Sequence, residues 1–339
     1  MKRVLYISNI EVPYRVRFFN ELAKYCDLTV LYESRGSGKR DTTWAKSEKM
    51  RYRSVYYGRN TLPLLLARYD LVILGCYQTP LQIATALLFK LLGRKFRINL
   101  DGEPFLQGKG WKTEAKRLLL RLAAGYLVAG ESAARSLRAV AGKKPITVYP
   151  FGSLTEAQLG RCPDCKDRTG TILVVGQYFP YKGMDVALEA ARRDGSLSFL
   201  FVGMGSRTEK FRKDHKIPPN VQLIPFLQPE ELHREYASCA LVVLPSRREC
   251  WGLVIPEAAA FGAPIVSTWG SGAAVEFLAE RYPQFLAKPG DSEGLLDCIH
   301  RCLASDRAAY GAFLREVGSR CSIEAGVAAH RTLLEGEKP

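Results

Sequence analysis

Within fifteen residues, Leu244–Ala258, the chain sets two glutamates eight positions apart, Glu249 and Glu257, with Gly252, Leu253 and Pro256 between them. Proline suits the first turn of a helix, where its missing N–H costs nothing. Free amides near Gly252 and Leu253 would then be available to a phosphate, because the first amides of a helix have no partner inside it. The spacing alone is ordinary, since Glu316 and Glu324 repeat it in the tail. Two further loops carry glycine. Gly176-Gln177-Tyr178-Phe179-Pro180-Tyr181-Lys182-Gly183 puts a lysine beside the glycine that opens a helix, which suits a diphosphate and equally an ordinary surface cap. Gly203-Met204-Gly205 is a turn of the kind that ends many strands.

These loops need strands and helices to position them. The first half alternates β-branched runs with helical spacing: strands over Val4–Ser8, Leu28–Tyr32, Ser54–Tyr57, Leu71–Leu74, Phe96–Leu100, Tyr126–Val128 and Ile146–Val148. Helices are expected over Tyr14–Tyr25, Pro80–Leu92 and Thr113–Ala124. After a linker, taken as 151–169, the alternation restarts with strands at Thr171–Val175, Leu197–Val202, Val221–Ile224, Ala240–Leu244 and Pro264–Ser267. Strands alternating with helices imply parallel sheets covered on both faces. The expected α/β architecture is two doubly wound Rossmann-like domains, 1–150 and 170–320, facing across a cleft. A C-terminal helix over 321–339 would be able to pack back on the first domain. In such sheets ligands sit at the carboxyl ends of strands.

Composition narrows the function classes. The 339 residues are 47% apolar and 24% charged, with a mean hydropathy of −0.10, so a folded chain is expected and no apolar run approaches the ~20 residues that span a bilayer. The N-terminus turns polar too early for a signal peptide and reads as a first strand. A cytoplasmic product, at most on the inner face of the cell membrane, is the expectation. Residues 1–150 hold 27 Lys+Arg against 11 Asp+Glu, and the remainder 22 against 23. The whole surplus is in the first half, which points to an anionic partner or to plain solubility. Nine cysteines, an odd number set mostly in apolar runs, read as reduced thiols. Cys162 and Cys165 have ligand spacing, but the four histidines supply no second pair, and no metal site is expected. The loop after the first strand, Ser8-Asn9-Ile10-Glu11-Val12-Pro13, lacks the dinucleotide fingerprint, and no nucleotide-hydrolase P-loop occurs.

Taken in order from about Ile172 to Phe277, the Gly176–Gly183 loop, the Gly203–Gly205 turn, the Glu230–Ala237 lead-in, the Glu249–Glu257 segment and Gly262-Ala263-Pro264 resemble the E-x7-E signature region of family 4 retaining glycosyltransferases of GT-B architecture. Tyr14–Asn20 resembles the first helix of some members. The resemblance implies a nucleotide-sugar donor held mainly by the second domain and an acceptor held mainly by the first. It implies Glu257 at the ribose hydroxyls, Glu249 near the reacting carbon of the donor sugar, and Lys182 with the Gly252 and Leu253 amides at the diphosphate leaving group. Gly176 and Gly203 would line the phosphate loops. Charge develops on that diphosphate in the transition state, so fixed donors there lower the barrier. No cofactor and no divalent metal are implied.

Three departures stand out. Gln177 occupies the place of a usual arginine, leaving Lys182 alone or aided by Arg247 or Arg248. Pro225 replaces a glycine before the Glu230 helix. The first strand lacks the usual glycine pair, and the acceptor-side region reads Asn99-Leu100-Asp101-Gly102-Glu103. Asp101 and Glu103 are the acceptor-side candidates, since a carboxylate at a strand end suits a sugar hydroxyl; a loop-capping pair is the competing reading. A basic helix with Lys109, Lys112, Lys116, Arg117 and Arg121 beside Leu118, Leu119 and Leu122 could rest on anionic lipid. The expected activity is a metal-independent hexosyl transfer to a glycan or lipid-linked acceptor in bacterial surface polysaccharide or glycolipid synthesis. A soluble disaccharide synthase and a catalytically impaired nucleotide-sugar binder stay open. A nucleic-acid binder would want aromatic residues interleaved with the basic ones, and only Tyr52, Tyr56 and Tyr57 near Arg51 and Arg53 approach that; no nucleic-acid partner is expected.

Overall fold

The computed structural model describes residues 1–34, 48–106, 108–163 and 168–335. The chain divides into two units, Met1–Phe151 with Ile323–Pro339, and Gly152–Ser322. Each is an all-parallel sheet with helices on both faces.

The first sheet contains β1 (Arg3–Ile10), β2 (Asp27–Ser34), β3 (Arg53–Tyr56), β4 (Leu71–Leu74), β5 (Arg97–Leu100), β6 (Gly125–Ala129) and β7 (Ile146–Tyr149) in the order β3-β2-β1-β4-β5-β6-β7. The central strands are near-continuous apolar runs because both faces are covered, as in β6, where every residue is buried. Helix α1 (Pro13–Leu22) follows β1. Helices α2 (Thr61–Leu66), α3 (Pro80–Leu91), α4 (Trp111–Leu120) and α5 (Glu131–Ala141) pack one face with Leu64, Leu65, Ala86, Phe89, Leu120 and Leu137. Pro80 opens α3 behind Thr79, whose hydroxyl accepts from the Gln82 amide.

Two of these helices do not follow the expected pattern. Neither α2 nor α5 was expected: α2 is short with Pro63 inside it, whereas α5 does carry a helical stripe, Ala133, Ala134, Leu137, Val140 and Ala141, that was passed over because three of its five residues are alanines. Helix α4 begins and ends earlier than its spacing implied, so Arg121 closes it rather than lying within it.

The second sheet runs β10-β9-β8-β11-β12-β13. Its strands are β8 (Thr171–Val175), β9 (Ser198–Val202), β10 (Val221–Ile224), β11 (Leu241–Leu244), β12 (Ile265–Thr268) and β13 (Leu286–Ala287). A single-turn helix, α6 (Glu156–Leu159), precedes it, and helices α7 (Met184–Arg193), α8 (Thr208–Asp214), α9 (Pro229–Ser238), α10 (Val254–Ala260), α11 (Gly272–Leu278), α12 (Ser292–Leu303) and α13 (Arg307–Ser319) surround it. The last helix, α14 (Ile323–Glu335), belongs to the first unit, where it packs on α1 and β7. The His330 ring of α14 lies edge-on to Phe18 and Tyr149, with centroids 4.8 and 5.0 Å away.

In each sheet the strand order reverses once, between β1 and β4 and between β8 and β11. In open parallel sheets such a reversal is where ligands sit, at the carboxyl ends of the strands.

Candidate functional site

At the reversal of the second sheet, the loop after β8 and the loop after β11 are stitched together. The Tyr181 carbonyl accepts from the amides of Arg247 (2.8 Å) and Arg248 (3.1 Å). Gly183 makes this approach possible. It has φ +68°, and a Cβ there would sit 2.0 Å from the Pro245 carbonyl oxygen. Behind the second loop, the Glu249 amide donates to the Gly270 carbonyl (2.8 Å) and the Gly272 amide to the Glu249 carbonyl (3.1 Å). Gly203 packs against Gly176, so the turn after β9 adjoins the same loop.

This stitching brings together residues far apart in the chain. The Lys182 ammonium donates to the Glu249 carboxylate, and both side chains are largely shielded. Glu257, in the first turn of α10, accepts at one oxygen from the Ser153 hydroxyl and at the other from the Tyr236 hydroxyl, at 3.1 Å. Burial raises its carboxyl above the usual range, opposed by those two hydrogen bonds. Each oxygen keeps further lone pairs for a ligand. Gly252, with φ +94°, fits its own tight turn because a Cβ would meet Leu244 at 2.8 Å and Glu249 at 3.2 Å. Gly252 and Leu253 open the α10 turn, their carbonyls accepting from the Ile255 and Glu257 amides.

Arg247, one of the two arginines expected to aid Lys182, is held by both oxygens of Asp185 at 2.7 Å and by the Pro180 carbonyl at 2.9 Å. Burial pushes the Asp185 carboxyl up, but the hydrogen bonds and charge of Arg247 outweigh it and leave the group below its ordinary value. Arg247 thus fastens the loop to the start of α7. Arg207 was not anticipated. Its guanidinium lies over the Phe179 ring, 4.0 Å from the centroid and two residues beyond Gln177. It donates to the Tyr178 carbonyl at 3.4 Å, and no carboxylate among the described residues pairs with it. Pro225 carries a plain backbone duty, its carbonyl accepting from Gly205 at 2.7 Å.

In the first unit, Asp101 follows β5 and is already engaged. It takes Arg15 through both oxygens, with Asn99 (2.7 Å) and Tyr149 (3.0 Å) on one of them. Arg15 on α1 is buried, so Asp101 neutralises a charge the fold has taken out of water. Glu103 accepts from the Phe105 amide (3.1 Å) and from the Ser136 hydroxyl (2.7 Å). Its hydrogen bonds are those of a loop cap, the competing reading for this pair.

The partners Ser153, Tyr236, Asp185, Arg15 and Arg207 were missed because each acts across tens of residues; Tyr236 and Arg15 lay in segments the sequence had marked, but without a role. Among the described residues no group of three or more His, Cys, Asp or Glu is placed to hold a metal. Cys162 is described, whereas Cys165 lies outside the described residues. No helix among the described residues is long and apolar enough to cross a membrane.

Residues 164–312 match the family model described as glycosyl transferases group 1. The uncharacterized glycosyltransferase YqgM of Bacillus subtilis is 27% identical over 169 residues, covering 48% of this chain and 46% of that one. The 2-deoxystreptamine N-acetyl-D-glucosaminyltransferase of Niallia circulans is 30% identical over 148 residues, covering 41% and 37%. The chain spans less than half the length of the curated relatives it matches. The crystal structure of Anabaena HepE, solved with UDP and glucose, superposes with a TM-score of 0.70 at 16% identity over 99% of both chains. That likeness shows the fold, two parallel-sheet Rossmann-like domains of the GT-B kind.

Proposed function

Because its second unit carries a glycosyl transferases group 1 domain, we propose that this chain is a GT-B glycosyltransferase that moves a hexosyl sugar from a nucleoside-diphosphate donor with retention of configuration and without a metal. The acceptor in this reading is a glycan or lipid-linked saccharide of bacterial surface polysaccharide or glycolipid synthesis. The observation that carries it is the pairing of Lys182 with Glu249 at the β8–β11 reversal, eight residues ahead of a Glu257 held by Tyr236 and Ser153.

Each residue then has a role its chemistry suits. Glu257 accepts from the ribose hydroxyls through its remaining lone pairs. The donor diphosphate competes with Glu249 for Lys182, since a doubly charged group draws the ammonium more strongly than one carboxylate. Released from Lys182, the Glu249 carboxylate turns to the donor sugar beside its reacting carbon. Bond breaking leaves negative charge on the diphosphate, which Lys182 and the α10-end amides of Gly252 and Leu253 stabilise, with Gly176 and Gly203 letting backbone approach. Arg207 supplies the second cation that Gln177 lacks, supported by its unpaired guanidinium next to that loop. On the acceptor side, Asp101 positions Arg15 rather than taking a proton, and Glu103 shapes the loop after β5.

Calorimetric titration with UDP, GDP and ADP in metal-free buffer tests this reading, beginning with UDP because it is the nucleotide in the HepE structure. Binding of one of the three, followed by transfer of a labelled sugar from the matching donor, is the expected result. Binding without any transfer would favour the impaired-binder reading that Gln177 suggests, and no binding at all would overturn both.

A further inference from the structure

Residues 151–169 read as a linker in the sequence, yet the last two of them grip helices of the second unit. The Arg168 guanidinium donates through one terminal nitrogen to the Tyr236 (2.9 Å) and Cys239 (3.2 Å) carbonyls at the end of α9. Its other terminal nitrogen donates to the Phe261 carbonyl (2.8 Å), just beyond α10. Thr169 completes the contact, its amide donating to the Ser238 carbonyl at 2.6 Å. One side chain thus ties together the ends of two helices.

The last carbonyls of a helix have no partner inside it. Helix α10 closes its own, because the Gly262 and Ala263 amides return to the Ala259 (2.8 Å) and Ala258 (3.0 Å) carbonyls. The Phe261 carbonyl also accepts from Arg315 of α13 at 3.1 Å. Helix α9 instead runs into extended backbone at Cys239, and Arg168 and Thr169 take its carbonyls. A cation there is also favoured by the helix dipole. Since α10 has other caps, what the Arg168 bond to Phe261 adds is the link between the two helices.

These helices carry the pair at the candidate ribose site. Tyr236 lies in the last turn of α9, and Glu257 is four residues before Phe261, in the first turn of α10. Arg168 holds the backbone of Tyr236 itself, while the Tyr236 ring packs on Phe261 with centroids 5.9 Å apart and its hydroxyl reaches Glu257 at 3.1 Å. Tyr236 is fully buried, so its hydroxyl goes where the two helices put it. We propose that Arg168 is a positioning residue for the donor site, fixing α9 against α10 so that Tyr236 orients the Glu257 carboxylate. The proposal rests on the reading that Glu257 meets the ribose. A guanidinium suits this task because its planar fork addresses two helices at once, whereas an ammonium is a point charge.

Arg168→Met in the full chain, which keeps the stem and removes the donors, tests it. Calorimetry with whichever of UDP, GDP and ADP the parent binds should show affinity lowered about threefold, the worth of one loosened hydrogen bond. The donor KM should rise by the same factor with kcat nearly unchanged, the mark of lost uniform binding. Adding Tyr236→Phe should cost nothing more, because both changes act on one bond. Arg315→Met is the control: Arg315 caps α10 from α13, so its loss should lower Tm and leave nucleotide affinity at the parent value. A readout that needs no nucleotide is the Glu257 carboxyl, followed by carbon-13 NMR and assigned with Glu257→Gln. The Tyr236 bond draws this group down, so it should titrate higher in Arg168→Met and as in the parent in Arg315→Met. Should Arg168→Met not fold, Arg168→Lys carries the same expectations, since it keeps the charge at the helix ends but not the fork. The proposal falls if the Arg168 variant changes neither affinity nor the Glu257 titration, if its effect adds fully to that of Tyr236→Phe, or if Arg315→Met weakens nucleotide binding equally. A parent that binds no nucleotide, with the Glu257 titration still displaced in Arg168→Met, defeats the ribose reading alone.

Discussion

The Lys182 ammonium and the Glu249 carboxylate form an ion pair at the carboxyl end of the second sheet, although 67 residues separate them in the chain. Each holds the other in place until something more highly charged arrives, so the two should respond differently to removal. Lys182→Ala should weaken binding of the cognate nucleoside diphosphate by about tenfold to a hundredfold, the loss of one charge-assisted contact. Glu249→Gln should leave that affinity equal or higher, by freeing Lys182, while lowering kcat by about a hundredfold or more. Calorimetry and a steady-state transfer assay on both variants check this.

Glu257→Ala should weaken nucleotide binding by about tenfold, because it removes an acceptor and leaves Tyr236 without its partner. The nucleotide is the readout; unchanged calorimetric affinity would remove Glu257 from the ribose. Tyr236→Phe should have a smaller effect, since Ser153 still orients the carboxylate.

Gly183→Ala should be the most damaging single methyl at the site. The residue has φ +68° and the added Cβ would lie 2.0 Å from the Pro245 carbonyl oxygen, so the two loops must part. The expected cost is about 2–4 kcal/mol of stability, read as a lower urea midpoint, accompanied by loss of nucleotide binding. Gly93→Ala serves as the control: it also has positive φ, but nothing lies within 4 Å of its Cβ.

Asp101→Asn should destabilise the first unit by about 3 kcal/mol, because it strands the buried Arg15 guanidinium. Chemical unfolding measures it. Unchanged stability with abolished transfer would return Asp101 to a direct role on the acceptor.

His330 gives the first unit a pH dependence. Burial holds its ring down to about 4, opposed by the hydrogen bond from Nδ1 to the Gly326 carbonyl, whereas an unfolded histidine titrates near 6.5. Between those values the unfolded chain binds the extra proton, so stability is complete above pH 6.5 and falls as the pH drops towards 4. The loss is on the order of 3 kcal/mol. Urea midpoints at pH 7.5, 6 and 5 should show this slope in the parent and a flatter one in His330→Gln.

Much of the architecture is legible in residue order. The central strands of the first half stand out as apolar runs because a parallel strand covered on both faces admits little else, and Gly176, Lys182 and Gly252, with Glu257 in the helix turn that follows, mark strand-to-helix connections by their glycines and proline. The alanine-rich α5 escaped although Ala133, Ala134, Leu137, Val140 and Ala141 recur at helical spacing, because alanines weigh little when apolar residues are picked out by size. Periodicity on α3 reads as a core helix, and local spacing carries no sign of which of its faces the sheet covers.

Local pattern determined the element types, the order of the loops and the candidate glutamates, because helix and turn preferences act over a few residues. Which charges meet was decided by the tertiary structure alone. Lys182 meets Glu249, Arg247 is taken by Asp185 and Arg207 is left over Phe179, because the strand order sets β8 beside β11 and the loops leaving them converge from distant parts of the chain. Electrostatic pairing depends on distance in space, and only the closed sheet defines that distance.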